Sequence, residues 1–175
     1  MKKLLLLIIG LMVNSCLSKY DRVEKDLYNC LIISLSDEEK EKVNPIFSDF
    51  EQHLIDKGIL ESSSPEGYWN FYKKIADTGT YDFSNEFNFS EKISFLNREN
   101  PEDNNIFFDC HNEVFQTEKY LKSKLYKFNQ ESQSLRSHRV TPTMIAITTT
   151  KYLTAEDFEL EYYRLSTLLF IENLK

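Results

Sequence analysis

The chain has 175 residues, of which 41% are hydrophobic, 28% charged and 14% aromatic, with only 4 glycines and 4 prolines. This composition excludes collagen-like, low-complexity and wholly disordered proteins, which contain more glycine and proline or fewer apolar residues. One continuous apolar run occurs, at the N-terminus, and this excludes a protein with several membrane spans. The length favours a single domain.

The N-terminal segment has the pattern of a secretory signal peptide. Lys2 and Lys3 precede an apolar run of ten residues, from Leu4 to Val13. A helix of that length covers about 15 Å, which is half of a hydrocarbon core of ~30 Å. The run is therefore too short for a membrane span, and it has no polar face that would favour a buried helix. Residues 1–15 are predicted to be a cleaved signal peptide.

The end of this segment, Val13-Asn14-Ser15-Cys16, resembles the lipobox of bacterial lipoproteins, which has an apolar residue at −3, a small residue at −1 and an obligatory cysteine. The resemblance implies cleavage before Cys16, a diacylglycerol on its sulfur and an acyl group, such as palmitate, on its new amine. Several acyl chains make a stable membrane anchor, because each buried CH₂ contributes ~0.8 kcal/mol. The alternative is that Cys16 is an ordinary small residue after a signal-peptidase site.

The same resemblance indicates the membrane and the domain organisation. Leu17 is not the aspartate that marks inner-membrane retention in enteric lipoproteins, so the outer membrane of a bacterial envelope is favoured over the inner one. Residues 16–19 are then a lipidated cysteine and a short tether. Residues 20–175 are predicted to form one globular domain.

The formal net charge of this domain restricts the partners that we expect for it. Loss of residues 1–15 removes two lysines and no acid, which lowers the formal net charge from −7 to −9. A net negative charge disfavours nucleic acid as a partner, and it disfavours lying flat on an anionic bilayer. The predicted partners are the membrane, through Cys16, and an envelope protein or polymer.

Two cysteines remain after cleavage, Cys30 and Cys110. In an oxidising compartment they pair and close a loop of about 80 residues, which the chain-entropy model values at roughly 4 kcal/mol. The alternative is two separate buried thiols, since free cysteine is among the most buried residue types. The sequence leaves both alternatives open.

Helix start and stop signals predict a mainly α domain of five or six helices, with at most two or three short strands; the alternative is α+β. Ser36 and Glu39 form a capping box, and Asn44-Pro45 is a second start signal, before a stop at Gly58. Ser64-Pro65 opens a helix that ends at Gly79.

The second half has longer elements. Aromatic residues alternate between Tyr81 and Phe89, which is typical of a strand or an extended packed loop, and one apolar stripe from Phe107 to Leu135 indicates a long helix, broken near Asn112. Residues 144–150 are rich in β-branched side chains and form the best strand candidate. A last helix begins at Thr154, with a stripe formed by Phe158, Tyr162, Leu165 and Leu169.

Four aromatic residues around one helix are the candidate partner surface: Tyr68, Trp69, Phe71 and Tyr72. They occupy too wide an arc for one core-facing stripe, so at least one ring needs a second surface, and exposed tyrosine and tryptophan are good contact anchors. The more favoured interpretation is an aromatic core helix. The helix around Trp69 is nevertheless the sequence's best candidate for a binding surface.

Few sequence patterns indicate a catalytic or metal-binding site. Asp49, His53 and Asp56 share one helix face at i, i+4 and i+7, as three metal ligands would, but a solvated polar face is favoured over a metal site. Cys110 and His111 diverge by about 100° on a helix and do not form a nucleophile–base pair. A basic segment begins at Lys119 and is interpreted as a solvated face. No catalytic residue, metal site or cofactor is predicted.

Two functions follow from these observations. The first is a lipid-anchored envelope protein that acts as a non-enzymatic binding or interaction module, and it rests on the anchor, the aromatic excess and the lack of catalytic motifs. The second is a membrane-tethered hydrolase that uses dispersed Asp and Glu carboxylates. Two carboxylates about 5–10 Å apart in a deep cleft would favour the hydrolase.

Overall fold

The described part of the chain is helical. The computed structural model describes residues 22–81, 86–96, 101–135 and 140–174, so the predicted signal peptide, Cys16 and the predicted tether lie outside the described residues. Its α-helices are α1 (Val23–Ile33), α2 (Asp37–Asp56), α3 (Pro65–Thr78), α4 (Phe89–Lys92), α5 (Pro101–Phe115), α6 (Glu118–Leu121), α7 (Lys124–Leu135), α8 (Pro142–Tyr152) and α9 (Glu161–Glu172). Two 3₁₀ helices, Ser94–Leu96 and Ala155–Glu159, complete it. The mainly α prediction is confirmed, although these ranges hold more helices than expected and no strand.

Several helix ends lie where the local signals predicted them. The Ser36 side chain accepts a hydrogen bond from the backbone N–H of Glu39, while the Glu39 carboxylate accepts one from the Ser36 N–H, so the capping box is complete. Ser64 caps α3, Pro65 is its first residue, and Gly79 ends it at a φ of 68°. Only glycine adopts that left-handed conformation without strain.

Two predicted helix boundaries are wrong. α2 runs without interruption through Pro45, so the start signal at Asn44 is not used. The expected long helix is three helices, α5, α6 and α7, because Thr117 caps α6 and the Ser123 hydroxyl accepts a hydrogen bond from the Tyr126 N–H at the start of α7. A serine or threonine hydroxyl that binds the backbone favours a new helix start over continuation.

The strand predicted over residues 144–150 is also wrong, because these residues lie in α8. Thr141 caps the helix and Pro142 is its first residue, as in α3. Two threonine hydroxyls of the segment donate to carbonyls of the same helix, Thr149 Oγ1 to Ile145 at 2.9 Å and Thr150 Oγ1 to Ile147 at 3.1 Å. Packing of α8 against α3 decides in favour of helix, and tertiary packing commonly overrides β-propensity in this way.

The last helix begins later than predicted and buries a different face. The capping box of Thr154 opens only the second 3₁₀ helix, and the extended backbone of Leu160 separates it from α9. A stripe counted from Phe158 therefore does not continue into α9, and Leu169 is 37% exposed. The buried residues of α9 are Tyr163, Thr167, Leu168, Ile171 and Glu172.

One hydrophobic core joins these helices, and its large side chains are mostly aromatic. The rings of Phe50 on α2 and Phe89 on α4 stack with centroids 4.3 Å apart. On the other side of α3, Tyr72 stacks on Phe170 of α9 at 5.5 Å. The surface of α3 packs chiefly against α8 and the second 3₁₀ helix. α3 is therefore the central helix of the fold.

A disulfide joins α1 to α5. Cys30 and Cys110 form the bond across a sequence separation of 80 residues, and their Cα atoms are 5.6 Å apart. Of the two alternatives that the sequence left open, pairing is therefore the one found. α5 packs chiefly against α1, and Lys119 of the following helix forms an ion pair with Asp26 of α1 at 2.6 Å. The disulfide thus crosslinks the packed pair of helices α1 and α5.

Candidate functional site

The four aromatic residues around Trp69 do not form a surface. Tyr68 is fully buried, Phe71 and Tyr72 are 3% and 5% exposed, and only Trp69 is partly exposed while packing against the core. Tyr68, Phe71 and Tyr72 lie at i, i+3 and i+4, so they belong to one helix stripe and share one face. The proposal of a partner surface is therefore wrong for these three residues, and the aromatic core helix is what forms.

A cavity next to Tyr68 is the candidate binding site. It has a volume of about 150 Å³ and lies between α1, α2 and α9. Three of its residues, Asn44, Ser48 and Glu51, occupy i, i+4 and i+7 of α2 and so project from one face of that helix. The other lining residues come from α1, α2, α3 and α9: Tyr28, Phe47, Tyr68, Glu161, Arg164, Leu165 and Leu168. The walls are thus aromatic and aliphatic with a few polar groups, the usual composition of a small-molecule site.

Glu51, Arg164 and Tyr68 form a hydrogen-bonded cluster in this cavity. Oε1 of Glu51 accepts hydrogen bonds from Nη2 of Arg164 and from the Tyr68 hydroxyl, each at 2.5 Å. The Arg164 guanidinium also lies 5.4 Å from the centre of the Tyr68 ring. Burial and the hydrogen bond to the Glu51 carboxylate raise the pKa of Tyr68 well above its usual range. The tyrosine is therefore a fixed hydrogen-bond donor at neutral pH.

A second cavity of about 260 Å³ continues the first along α1 and α9. Tyr28 and Glu161 line both cavities, which makes a single groove. Half-burial and the nearby Glu161 carboxylate raise the pKa of Tyr28. The remaining lining residues of the second cavity are Glu24, Lys25, Asn29, Leu160 and Tyr162. Glu161 therefore sits at the centre of the groove, beside a tyrosine ring.

A buried ion-pair network lies behind the groove and begins at Glu24, which is 1% exposed. Arg22 donates to both carboxylate oxygens of Glu24, through Nε at 3.0 Å and through Nη2 at 2.7 Å. The Tyr163 hydroxyl adds a third hydrogen bond at 2.7 Å. Burial alone would raise the pKa of Glu24, but the hydrogen bonds from Arg22 and Tyr163 outweigh it, and the pKa is lowered.

Arg22 links this carboxylate to a second one, Asp157, which is 2% exposed. Nη2 of Arg22 lies 2.9 Å from Oδ1 of Asp157, and Nζ of Lys124 lies 2.6 Å from Oδ2. The Thr154 N–H also donates to Oδ2, at 2.7 Å. Burial opposes ionisation of Asp157, but these donors lower its pKa. The network ties α1, α7 and the second 3₁₀ helix together.

The residues named as a metal trio do not act together. Asp49 and Asp56 are exposed, and Asp56 accepts a hydrogen bond from Gln52 at 2.8 Å. His53 instead turns inward, where its ring lies 5.3 Å from that of Phe87 and its Nε2 is buried without a hydrogen-bond partner among the described residues. Within those residues, no group of His, Cys, Asp and Glu side chains is arranged to hold a metal ion.

Part of the basic segment that begins at Lys119 forms ion pairs with other helices. Lys119 pairs with Asp26 and Lys124 with Asp157, so these two lysines bind other helices and do not form a free solvated face. Lys122 pairs with Glu118 on the surface. Arg136 and Arg139 lie outside the described residues.

Comparison of the chain with protein-family models, with curated proteins and with solved structures finds no match. None of the helices in the described ranges is long and apolar enough to cross a membrane. The groove was missed by sequence reasoning because its residues come from four helices. The only local signal was the i, i+4, i+7 spacing of Asn44, Ser48 and Glu51 on α2.

Proposed function

We propose that this protein is a lipid-anchored protein of the bacterial cell envelope that acts as a non-enzymatic binding module. The observation that carries the proposal is the groove between α1, α2 and α9, which combines aromatic and aliphatic walls with a small set of polar groups. The anchor is Cys16, in the lipobox-like run, and the outer membrane is favoured over the inner one.

The disulfide supports an extracytoplasmic location. Bonds such as Cys30–Cys110 persist in oxidising compartments, which include the bacterial periplasm and the cell surface, and they are rare in the cytosol. Export through a signal peptide delivers a chain to such a compartment. The disulfide and the N-terminal sequence are independent features that favour the same location.

The pairing of the buried carboxylates with cations favours a binding module over a hydrolase. A carboxyl group that acts as a general acid at neutral pH needs a raised pKa. Glu24 and Asp157, the two buried carboxylates that Arg22 brings together, both have lowered pKa values and are saturated with hydrogen bonds. Glu51 is held by Arg164 and Tyr68. These groups stabilise the walls of the groove.

The anchor is tested by the change Cys16→Ser. The variant is expected to lose fatty-acid labelling and to move from the membrane fraction to the soluble fraction, because a serine hydroxyl cannot accept the diacylglycerol in a thioether bond. Metabolic labelling and membrane fractionation measure both effects. Unlabelled wild-type protein, or a Cys16→Ser variant that stays in membranes, would contradict the anchor.

The binding function is tested by photo-cross-linking in intact cells. A photoreactive residue at Asn44, which lines the groove, is expected to give a discrete cross-linked product. The matched control is Asn112, an exposed asparagine of α5, which does not line the groove. A product from position 44 and none from position 112 would support a partner in the groove. Equal products, or none from position 44, would contradict it.

A further inference from the structure

The first cavity has an excess of hydrogen-bond acceptors. Oε2 of Glu51 and the Glu161 carboxylate make no hydrogen bond within the part of the chain that the structure describes, and neither do the side chains of Asn44 and Ser48. Carboxylates accept only, whereas Asn and Ser can both donate and accept. Asn44, Ser48 and Glu161 are exposed, so water satisfies them in the free protein, and a ligand that brings several donors can replace that water.

The charges of the cavity favour a cation. Arg164 is the single cation among its lining residues, and it is already paired with Glu51. Glu161, at the point where the two cavities meet, forms no ion pair among the described residues, so the first cavity carries a net negative charge. A further cation, Lys25, lines the second cavity only. The Tyr28 ring beside it adds an aromatic face, and such faces attract ammonium groups.

The apolar walls favour an alkyl chain behind that cation. The apolar lining residues are Phe47, which lies on α2 beside Asn44 and Ser48, and Leu165 and Leu168 of α9. Its volume of about 150 Å³ is small, below the roughly 300–1,000 Å³ of most drug-sized sites. A slender chain fits such a space better than a ring system does.

We infer that the first cavity binds a primary alkylammonium group, such as a lysine side chain or a small amine. Glu161 supplies the counter-charge, while Ser48, Asn44 and Oε2 of Glu51 accept its N–H groups. The alkyl stem packs on Phe47 and the two leucines. This inference rests on the binding function proposed above and names the chemistry of the group that is bound.

The test is a titration of the full-length protein, extracted from membranes in a non-ionic detergent, with n-butylammonium and with n-butanol. The alcohol has the same stem and no charge. Chemical shifts of ring-labelled tyrosine report binding at Tyr28. Saturable binding of the amine, and at least about tenfold weaker binding of the alcohol, are expected because a charge-assisted hydrogen bond is roughly twice as strong as a neutral one. Equal binding of the two probes would overturn the inference.

Three substitutions test which residues form the ammonium site. Glu161→Gln keeps the shape of an exposed side chain and removes its charge, so it is expected to weaken n-butylammonium binding about tenfold. Ser48→Ala is expected to weaken it severalfold. Glu113→Gln, on α5 and outside the groove, is the charge-matched control and is expected to change nothing. Equal affinities for Glu161→Gln and the wild type would overturn the assignment.

A peptide arm separates the two sources of the ammonium group. The tripeptide Ala-Lys-Ala with an acetylated N-terminus has one ammonium group, on its lysine side chain, and Nε-acetylation replaces that group with a neutral amide. Tighter binding of the tripeptide with the unmodified lysine than of n-butylammonium supports a protein partner, and tighter binding of the amine supports a small ligand. If neither amine binds while cross-linking from Asn44 succeeds, the ammonium site is overturned and the binding function stands.

Discussion

Replacing Arg22 with methionine is expected to lower the free energy of unfolding by about 3–5 kcal/mol at pH 7. The reason is that Glu24, at 1% exposure, would keep its charge in the core without the guanidinium that neutralises it. Asp157 would lose one of its two cations at the same time. Methionine replaces the alkyl stem of the arginine, so packing is largely conserved. Equilibrium denaturation in urea measures the change.

The pH dependence of this effect has a defined sign. The folded state lowers the pKa of Glu24 below its ordinary value of 4.5, so the stability that this group contributes is present above that pH and is lost as the pH falls. In Arg22→Met, burial dominates and raises the pKa of Glu24, and protonation then relieves the unpaired charge. The difference between variant and wild type is therefore expected to be largest near pH 7 and to shrink in acid. A difference that is independent of pH would contradict the network.

A surface ion pair provides the matched control. Lys42 and Glu38 pair on the exposed side of α2, and the two side chains are 56% and 77% exposed. Lys42→Met is expected to cause only a small fraction of the change seen for Arg22→Met, because exposed pairs are screened by solvent. The double variant Arg22→Met/Glu24→Gln is expected to regain part of the lost stability. Equal losses for the buried and the exposed pair would mean that burial of the network does not matter.

Loss of the disulfide is expected to lower the free energy of unfolding by about 2–5 kcal/mol. The bond joins residues that are 80 positions apart, and without it the unfolded chain regains the conformational freedom of that loop. Cys30→Ala/Cys110→Ala removes the bond and leaves no free thiol in the described domain. Thermal and urea unfolding of this double variant measure the loss.

Chemical reduction provides the control for the disulfide. A dithiol reductant is expected to destabilise the wild-type protein by about as much as the double substitution does. The same reductant is expected to leave Cys30→Ala/Cys110→Ala unchanged. Wild-type protein whose melting temperature is insensitive to complete reduction would contradict a stabilising role for the bond.

Local signals predicted both ends of α3 and the start of α2 correctly, because a cap depends on a few neighbouring residues. The capping box of Ser36 and Glu39 and the Ser64-Pro65 start of α3 form as the sequence indicates. A cap is completed within one turn of backbone, so no distant contact is needed to define it. The stop at Gly79 has the same origin in local backbone conformation.

The failed strand prediction depends on a contact between distant segments, whereas other failures are local. α8 is helical despite its β-branched residues because it packs on α3, and nothing within residues 144–150 reports that contact. The extended backbone of Leu160 separates the second 3₁₀ helix from α9, so helical spacing counted from Phe158 does not predict the buried face of α9. The four aromatic residues of α3 were expected to span too wide an arc for one stripe, although the i+3 spacing of Phe71 from Tyr68 places it on the core-facing stripe.

The candidate site was beyond prediction for the same reason. Glu51 and Arg164 are 113 positions apart, and Arg22 and Asp157 are 135 apart. The Glu51–Arg164 pair follows from the packing of α2 and α9, and the Arg22–Asp157 pair from the packing of the start of α1 against the second 3₁₀ helix. The contact between Cys30 and Cys110 was foreseen as one of two alternatives, a disulfide or two separate thiols, and the structure has the disulfide.

Intact-mass analysis of the protein extracted from membranes tests the proposed lipid-anchored envelope protein most directly. The account predicts a chain that begins at Cys16, carries a diacylglycerol and an N-acyl group, and gains two hydrogens on reduction of Cys30–Cys110. Treatment with a thiol-alkylating reagent before and after reduction counts the free cysteines. A full-length chain that begins at Met1, carries no lipid and has three free thiols would contradict both the anchor and the oxidising compartment.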